Sequence, residues 1–202
     1  MKAIKISLLG DSSVGKTEII NSYLGLEFTG RQIQTIGCDK CEKKFTLKNE
    51  KTIKLTLWDT AGTEAFRSVP LQLLRNFQGV ILVFDITNKS SFNNLNKWLK
   101  DIKERSSSIP IILFGNKVDK IKEEWEVTSE EAKNFAEKIE LIYFEVSAKT
   151  KQGINEGISY LVNNIYEKLE EENNPPLKIK NKLNNDESKC VGKGKNNKNK
   201  PK

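Results

Sequence analysis

The sequence predicts an α/β fold, in which a six-stranded, mostly parallel sheet carries helices on both faces. Three continuous apolar runs, at 80–84, 111–114 and 141–146, are typical of strands covered on both faces. Apolar residues recur at helical spacing between and after these runs, and this alternation predicts parallel strands joined by helices. Ligands of such sheets bind at the carboxyl ends of the strands, so polar motifs at those ends are the candidates for function.

The first strand and helix enclose a loop at residues 10–17, which reads Gly-Asp-Ser-Ser-Val-Gly-Lys-Thr. Apolar residues predict the strand before the loop and the buried stripe of the helix after it: Ile4, Ile6, Leu8 and Leu9, then Ile19, Ile20 and Leu24. A G-x-x-x-x-G-K-[ST] motif between a strand and a helix indicates a phosphate-binding loop.

The residue types in this loop suit a chain of phosphates. Gly10 and Gly15 let the backbone curl so that its N–H groups face inward, beside the positive end of the helix. Lys16 adds a mobile charge for the outer phosphates, and the Thr17 hydroxyl suits Mg²⁺. The predicted nucleotide contacts here are Asp11, Ser12, Ser13, Val14, Gly15, Lys16 and Thr17.

The segment from Gly25 to Gly37 is polar and irregular, and two alternating runs follow it, near 38–47 and 51–58. The short connection between the runs predicts a hairpin, which gives the sheet one antiparallel strand and five parallel strands. Three further helices are predicted from apolar residues at helical spacing: Phe92, Leu95, Leu99 and Ile102; Ala132, Phe135, Ala136 and Ile139; Ile158, Leu161, Val162, Ile165 and Leu169.

Cysteine usage and hydropathy favour a cytoplasmic protein. Cys38 and Cys41 would lie on opposite faces of a strand, and the chain has three cysteines and no histidine, so neither a zinc site nor a secreted disulfide scaffold is expected. There is no long apolar run or apolar leader, and Lys2 in place of glycine argues against N-myristoylation.

Charge divides the chain into a predicted domain at 1–172 and a disordered, basic tail at 173–202. The net charge of the chain is +7, and the tail alone carries nine lysines against Asp186 and Glu187. The domain is therefore neutral, and nucleic-acid binding is not expected despite the basic pI of 9.2. The tail has too little apolar surface to fold, and either stays solvated or contacts an anionic membrane.

Further polar motifs follow three later strands. Asp59 precedes Thr60-Ala61-Gly62, where the carboxylate can hold Mg²⁺ through water and the Gly62 N–H can approach a terminal phosphate. Asn116-Lys117-Val118-Asp119 and Ser147-Ala148-Lys149 follow the fifth and sixth strands. The Asp119 carboxylate can accept two parallel N–H bonds from guanine, whereas adenine offers no such pair, so Asp119 is the predicted specificity residue.

With these four motifs in order, the chain resembles the Ras superfamily of small GTPases over about residues 3–170. The resemblance implies the phosphate-loop GTPase fold, GTP and GDP as ligands, and Mg²⁺ as cofactor. It also implies that Asn116 and Lys117 support the base, that the Ala148 N–H meets the guanine O6, and that Phe28 stacks on the ring. Thr35 would close on Mg²⁺ and the γ-phosphate.

Within the superfamily the chain is most similar to the Rab proteins of vesicle traffic. The residues that carry this likeness are Thr35-Ile36-Gly37, residues 54–59, Phe66-Arg67-Ser68, residues 81–87, Ser91-Phe92 and Trp98. The resemblance implies a guanine nucleotide exchange factor, a GTPase-activating protein and effectors that bind the switch segments around Thr35 and Gly62. We expect a monomer that is cytoplasmic or peripheral on endomembranes.

The chain departs from the Rab pattern at the catalytic position. Thr63 stands where the family has the glutamine that orients the attacking water. A threonine hydroxyl is shorter and lacks the paired donor and acceptor of an amide, so intrinsic hydrolysis is expected to be slower by ~10-fold or more. The predicted catalytic residues are Lys16, Thr35, Gly62 and Thr63.

Other departures concern partners and the terminus. Lys40 and Leu73-Leu74 replace aromatic residues of the effector-facing patch, so atypical effectors are expected. Cys190 is followed by residues 191–202 without a C-a-a-X box, so standard prenylation is not expected. Two alternatives stay open beside the switch: a nucleotide-bound module with negligible turnover, and, less favoured because of Asp119, an ATPase.

Overall fold

The computed structural model describes residues 2–30, 38–60, 73–106 and 108–173 of the chain. Six strands form one sheet in the order β2-β3-β1-β4-β5-β6. The strands are β1 (Ala3–Leu9), β2 (Cys38–Thr46), β3 (Thr52–Thr60), β4 (Gly79–Asp85), β5 (Ile111–Asn116) and β6 (Ile142–Glu145). Only β2 pairs in antiparallel fashion, with β3, and the other pairings in the sheet are parallel, which confirms the predicted α/β fold with a mixed sheet.

Helices cover both faces of the sheet. The helices are α1 (Lys16–Leu24), α2 (Lys89–Asn93), α3 (Leu95–Arg105), α4 (Ser129–Lys138) and α5 (Ile154–Asn173), with short 3-10 turns at Leu73–Asn76 and Lys122–Glu124. One apolar core joins the sheet to α1 and α5, and the other joins it to α2, α3 and α4. The described ranges contain no helix that is both long and apolar enough to pass through a bilayer.

The register of the parallel strands brings their carboxyl ends to one edge of the sheet. Leu9 at the end of β1 pairs with Leu82, and Asp85 at the end of β4 pairs with Asn116 at the end of β5. Because the loops that follow these strands start from this shared edge, residues far apart in sequence meet there.

The structure departs from the sequence-based expectations at two elements. The run at 141–146 was expected to be covered on both faces, but β6 is the edge strand and Ile142 is 45% exposed. The helix expected through Phe92 and Ile102 is interrupted at Asn94, which ends α2 and begins α3. The amide of Asn94 bonds outside the helix, to the phosphate loop.

Candidate functional site: a phosphate loop joined to a base-binding edge

The phosphate loop lies so close to its neighbours that two of its positions require glycine. Gly10 has φ of +143°, and a Cβ atom there would lie 2.1 Å from the carbonyl oxygen of Val83 on β4. Gly15 has φ of +96°, and a Cβ atom there would lie 2.4 Å from Nδ2 of Asn116. Glycine at both positions therefore lets the loop rest directly against β4 and the end of β5.

Lys16 folds back over the mouth of the loop. Its Nζ donates to the carbonyl oxygens of Gly10, at 2.9 Å, and Asp11, at 2.7 Å, and the residue is 6% exposed. Burial lowers the pKa of Lys16 to about 8, although the nearby Asp59 and Asp11 carboxylates oppose the shift. A phosphate at the mouth would offer this ammonium a negatively charged partner.

The Asp11 side chain is directed toward helix α3. Asn94 Nδ2 donates to one carboxylate oxygen at 2.7 Å, and Trp98 Nε1 donates to the other at 2.8 Å. The predicted contact of Asp11 with nucleotide therefore concerns its main chain, since both oxygens of its side chain are engaged by α3. Sequence reasoning used Trp98 only for the Rab likeness and did not single out Asn94.

Two oxygen ligands suited to Mg²⁺ lie side by side. Thr17, at the start of α1, donates from Oγ1 to Oδ2 of Asp59 at 2.6 Å, and Asp59 at the end of β3 is 5% exposed. A hydroxyl beside a carboxylate is a hard donor set that fits Mg²⁺. Within the described ranges, no group of three or more His, Cys, Asp or Glu side chains is arranged to hold a metal ion. The third predicted ligand, Thr35, lies outside the described residues, as do Gly62 and Thr63.

The motifs after β5 and β6 form a single hydrogen-bonded unit. Ser147 donates from Oγ to Asp119 Oδ1 at 2.6 Å, and the same Oγ accepts from the N–H of Thr150 at 3.1 Å. Asn116 donates to the Val14 carbonyl at 2.8 Å and accepts from the Ala148 N–H at 3.1 Å. The Asp119 carboxylate is thus fixed by the β6 turn, and Asn116 ties that turn to the phosphate loop.

Lys117 makes the second link between the two halves of the site. Its Nζ donates to the carbonyl oxygen of Ser13 at 3.0 Å and lies 2.5 Å from Oδ2 of Asp85. Thr87 donates to the other Asp85 oxygen through its N–H and its hydroxyl. Asp85 lies in the segment 81–87 that carries the Rab likeness, but it was not predicted as a site residue. Its place at the end of β4 is the signal that could have found it.

The remaining described members of the predicted set differ in burial. Val14 is buried, whereas Ser12, Ser13 and Lys149 have exposed side chains. Phe28, on the segment after α1, is 44% exposed, an unusual fraction for a phenylalanine and consistent with a ring available for stacking. The hydrogen bonds above join Thr17 to Asp59 and join the phosphate loop to Asn116 and Lys117.

The α/β fold and this rim define a phosphate-loop nucleotide-binding protein, and comparisons with known proteins identify the class further. A model of the Ras family matches residues 5–167. The chain is 38% identical to "Ras-related protein Rab-11B" of Dictyostelium discoideum, over 93% of this chain and 85% of that protein. It is 38% identical to "Ras-related protein Rab-2B" of the same organism (90% and 88%) and 39% identical to "Ras-related protein Rab-18" of Lymnaea stagnalis (80% and 80%). The chain belongs to the Ras family of small GTPases, and it is Rab-like.

Proposed function

We propose that this protein is a GTP-dependent switch of vesicle trafficking that hydrolyses GTP slowly when no activating protein assists it. The observation that carries the proposal is the convergence of residues from four strand ends on one rim. The phosphate loop after β1, Asp59 of β3, Lys117 after β5 and Ser147 after β6 are joined there by the hydrogen bonds described above.

Different residues around the loop would bind the phosphates, the Mg²⁺ ion and the guanine base. Lys16 is placed to exchange its two carbonyl partners for phosphate oxygens, and the loop N–H groups and the start of α1 favour the same negative charge. Mg²⁺ held at Thr17 and Asp59 would neutralise charge on the β- and γ-phosphates. Asp119, held by Ser147, would accept the two N–H groups of guanine, with Phe28 against the ring.

The switch itself is assigned to residues outside the described ranges. We propose that Thr35 and Gly62 respond to the γ-phosphate and that exchange factors, activating proteins and effectors bind the segments around them. Thr63, in place of glutamine, supports slow intrinsic hydrolysis because phosphoryl transfer depends on the positioning of water.

A catalytically silent, nucleotide-bound module is the second candidate, and Thr63 is the observation that favours it. Two measurements separate the candidates. The first is the binding of fluorescent GDP and GTP, with excess GTP or ATP as competitor. The second is single-turnover hydrolysis with and without an activating protein. The switch predicts competition by GTP and not by ATP, and turnover that rises with the activating protein. Failure to bind either guanine nucleotide would overturn both candidates.

The basic segment at 173–202 is proposed as a separate tail after the domain at 1–172. Its first residue, Asn173, is the last residue of α5, and the rest of the segment lies outside the described residues. Its nine lysines support loose attachment to an anionic membrane, at roughly 1 kcal/mol per lysine near the surface. Sedimentation with vesicles that contain phosphatidylserine, compared with neutral vesicles and with a chain truncated after residue 172, tests this attachment. Mass spectrometry of Cys190 would reveal any lipid that adds to it.

A further inference from the structure

Asp11 presents an electrostatic problem inside the phosphate loop. The loop is built to bind negative charge, with Lys16 at its mouth and the start of α1 behind it. A carboxylate free to turn toward the mouth would repel phosphates and would compete with them for the Lys16 ammonium. Something must therefore keep the Asp11 charge away from the nucleotide.

Helix α3 supplies that restraint through two neutral donors. Asn94 and Trp98 lie one helical turn apart, and each donates to a different oxygen of the Asp11 carboxylate. Hydrogen bonds to an ionised acceptor are about twice as strong as bonds between neutral groups. Trp98 is 2% exposed and packed in the core beside Leu95 and Ile102, so its N–H is held in place by the surrounding side chains.

The same contact also fixes the main chain that Lys16 uses. The carbonyl oxygen of Asp11 accepts from Lys16 Nζ, while its carboxylate is bound to α3. Movement of Asp11 would therefore displace a partner of the lysine as well as its own charge.

We propose that Asn94 and Trp98 are positioning residues of the nucleotide site, which hold the Asp11 carboxylate against α3 and away from the phosphates. This role rests on the proposed binding of guanine nucleotides. It extends the site to α3, which contributes no residue to the phosphate-loop or base motifs. It also gives the indole N–H of Trp98 a function in addition to core packing.

The first test compares Trp98→Phe and Asn94→Ala with the unmodified protein. Phenylalanine keeps most of the apolar volume and removes the donor. Each loss should speed the dissociation of fluorescent GDP by about 10-fold, as expected for one hydrogen bond to a charged group. Leu99→Val is the matched control, because Leu99 follows Trp98 in α3 and is buried in the same core. It should lower the melting temperature and leave dissociation unchanged.

A second readout separates positioning from a general loss of structure. Release of the Asp11 carboxylate from α3 should weaken the binding of GTP more than that of GDP, and the binding of GDP more than that of GMP, because repulsion grows with phosphate charge. A loosened fold would weaken the binding of all three nucleotides alike. In an Asp11→Ala background, Trp98→Phe should add less than about two-fold, because its partner is already gone.

The outcomes are distinguishable. If the unmodified protein binds no guanine nucleotide, the proposed function fails. The positioning role is overturned if the unmodified protein binds guanine nucleotide but both variants release GDP within about two-fold of its dissociation rate. It is also overturned if both variants weaken the binding of GTP, GDP and GMP equally. Should Trp98→Phe fail to fold, Asn94→Ala alone decides the matter, because Asn94 is only partly buried.

Discussion

The ammonium of Lys117 lies 2.5 Å from the Asp85 carboxylate, and it donates to the main chain of the phosphate loop at Ser13 at the same time. Asp85 ends β4 and Lys117 follows β5, so the ion pair joins neighbouring strand ends and holds the ammonium that connects the base motif to the phosphate loop through Ser13. Lys117 has φ of +74°, a conformation rare for lysine, and its side-chain bonds offset the cost of that backbone.

Asp85→Asn should loosen this connection. The amide loses the ionic attraction for Lys117 in a position where Asp85 is 6% exposed, and an ammonium bond to a carboxylate is stronger than one to an amide. Dissociation of GDP, followed by stopped-flow fluorescence, should accelerate about 10-fold, equivalent to about 1.4 kcal/mol. Glu124→Gln is the control, because its ion pair with Lys120 is solvent-exposed and should matter little. Unchanged dissociation in Asp85→Asn would remove Asp85 from the site.

Because the ammonium of Lys16 is buried and its pKa is lowered, we expect nucleotide affinity to depend on pH. Burial lowers the pKa of its ammonium to about 8 in the nucleotide-free protein, and bound phosphates raise that pKa again by favouring the charged form. Binding therefore takes up a proton above pH 8, so affinity is constant at lower pH and falls as the pH rises through 8. The slope approaches one decade per pH unit.

Titration of GDP binding between about pH 6.5 and 9.5 measures this dependence. Lys16→Arg is the control, because its guanidinium stays charged across the range and should give weaker binding without the fall.

The lowered pKa of Lys16 also affects the stability of the nucleotide-free fold, which should rise with pH in the range where nucleotide affinity falls. The unfolded chain binds more protons between pH 8 and the ordinary lysine pKa of 10.5, so the penalty of burying Lys16 is complete below pH 8 and diminishes above it.

The sequence predicted those parts of the site whose spacing is local. Gly10, Lys16 and Thr17 belong to one loop, and because ligands bind where parallel strands end, Asp59 and Asp119 were expected on the same rim. Long-range partners could not be found in this way. Asn94 lies 83 residues from Asp11 in sequence, and an asparagine within an apolar helical pattern gives no sign of what its amide will contact. The exposure of β6 was also missed, because an apolar run does not reveal whether its strand will lie at the edge of a sheet.

Thr63→Gln should restore intrinsic hydrolysis if Thr63 is the reason that it is slow. The longer amide can both donate to and accept from the attacking water, so single-turnover hydrolysis should accelerate by ~10-fold or more, with GTP affinity unchanged. Thr63→Ala is the matched control and should not accelerate hydrolysis. If Thr63→Gln hydrolyses GTP no faster than the parent protein, some other feature limits the rate. If neither the parent nor Thr63→Gln hydrolyses GTP with an activating protein present, the silent module is favoured.

Gly157 tests the packing between α5 and the sheet, where two effects compete. Alanine is favoured over glycine by about 1 kcal/mol inside a helix. Here, however, a Cβ atom would lie 2.4 Å from Cε1 and 2.6 Å from Cζ of Phe114, which is 0% exposed and holds an edge-to-face contact with Phe144. Because the Phe114 ring is enclosed on all sides, the added carbon must displace the helix or force the ring off its rotamer.

Overpacking of this kind costs about 1–3 kcal/mol, so the clash should outweigh the helix gain and Gly157→Ala should unfold at a lower denaturant concentration. Lys168→Ala, on the exposed side of the same helix, should change the free energy of unfolding by less than about 0.5 kcal/mol. Both measurements are made with GDP and Mg²⁺ at fixed concentration, because ligand binding adds to apparent stability. A Gly157→Ala protein that is more stable than the parent would mean that α5 can move away from Phe114 at little cost, and that the close approach of helix and sheet is not what requires glycine at this position.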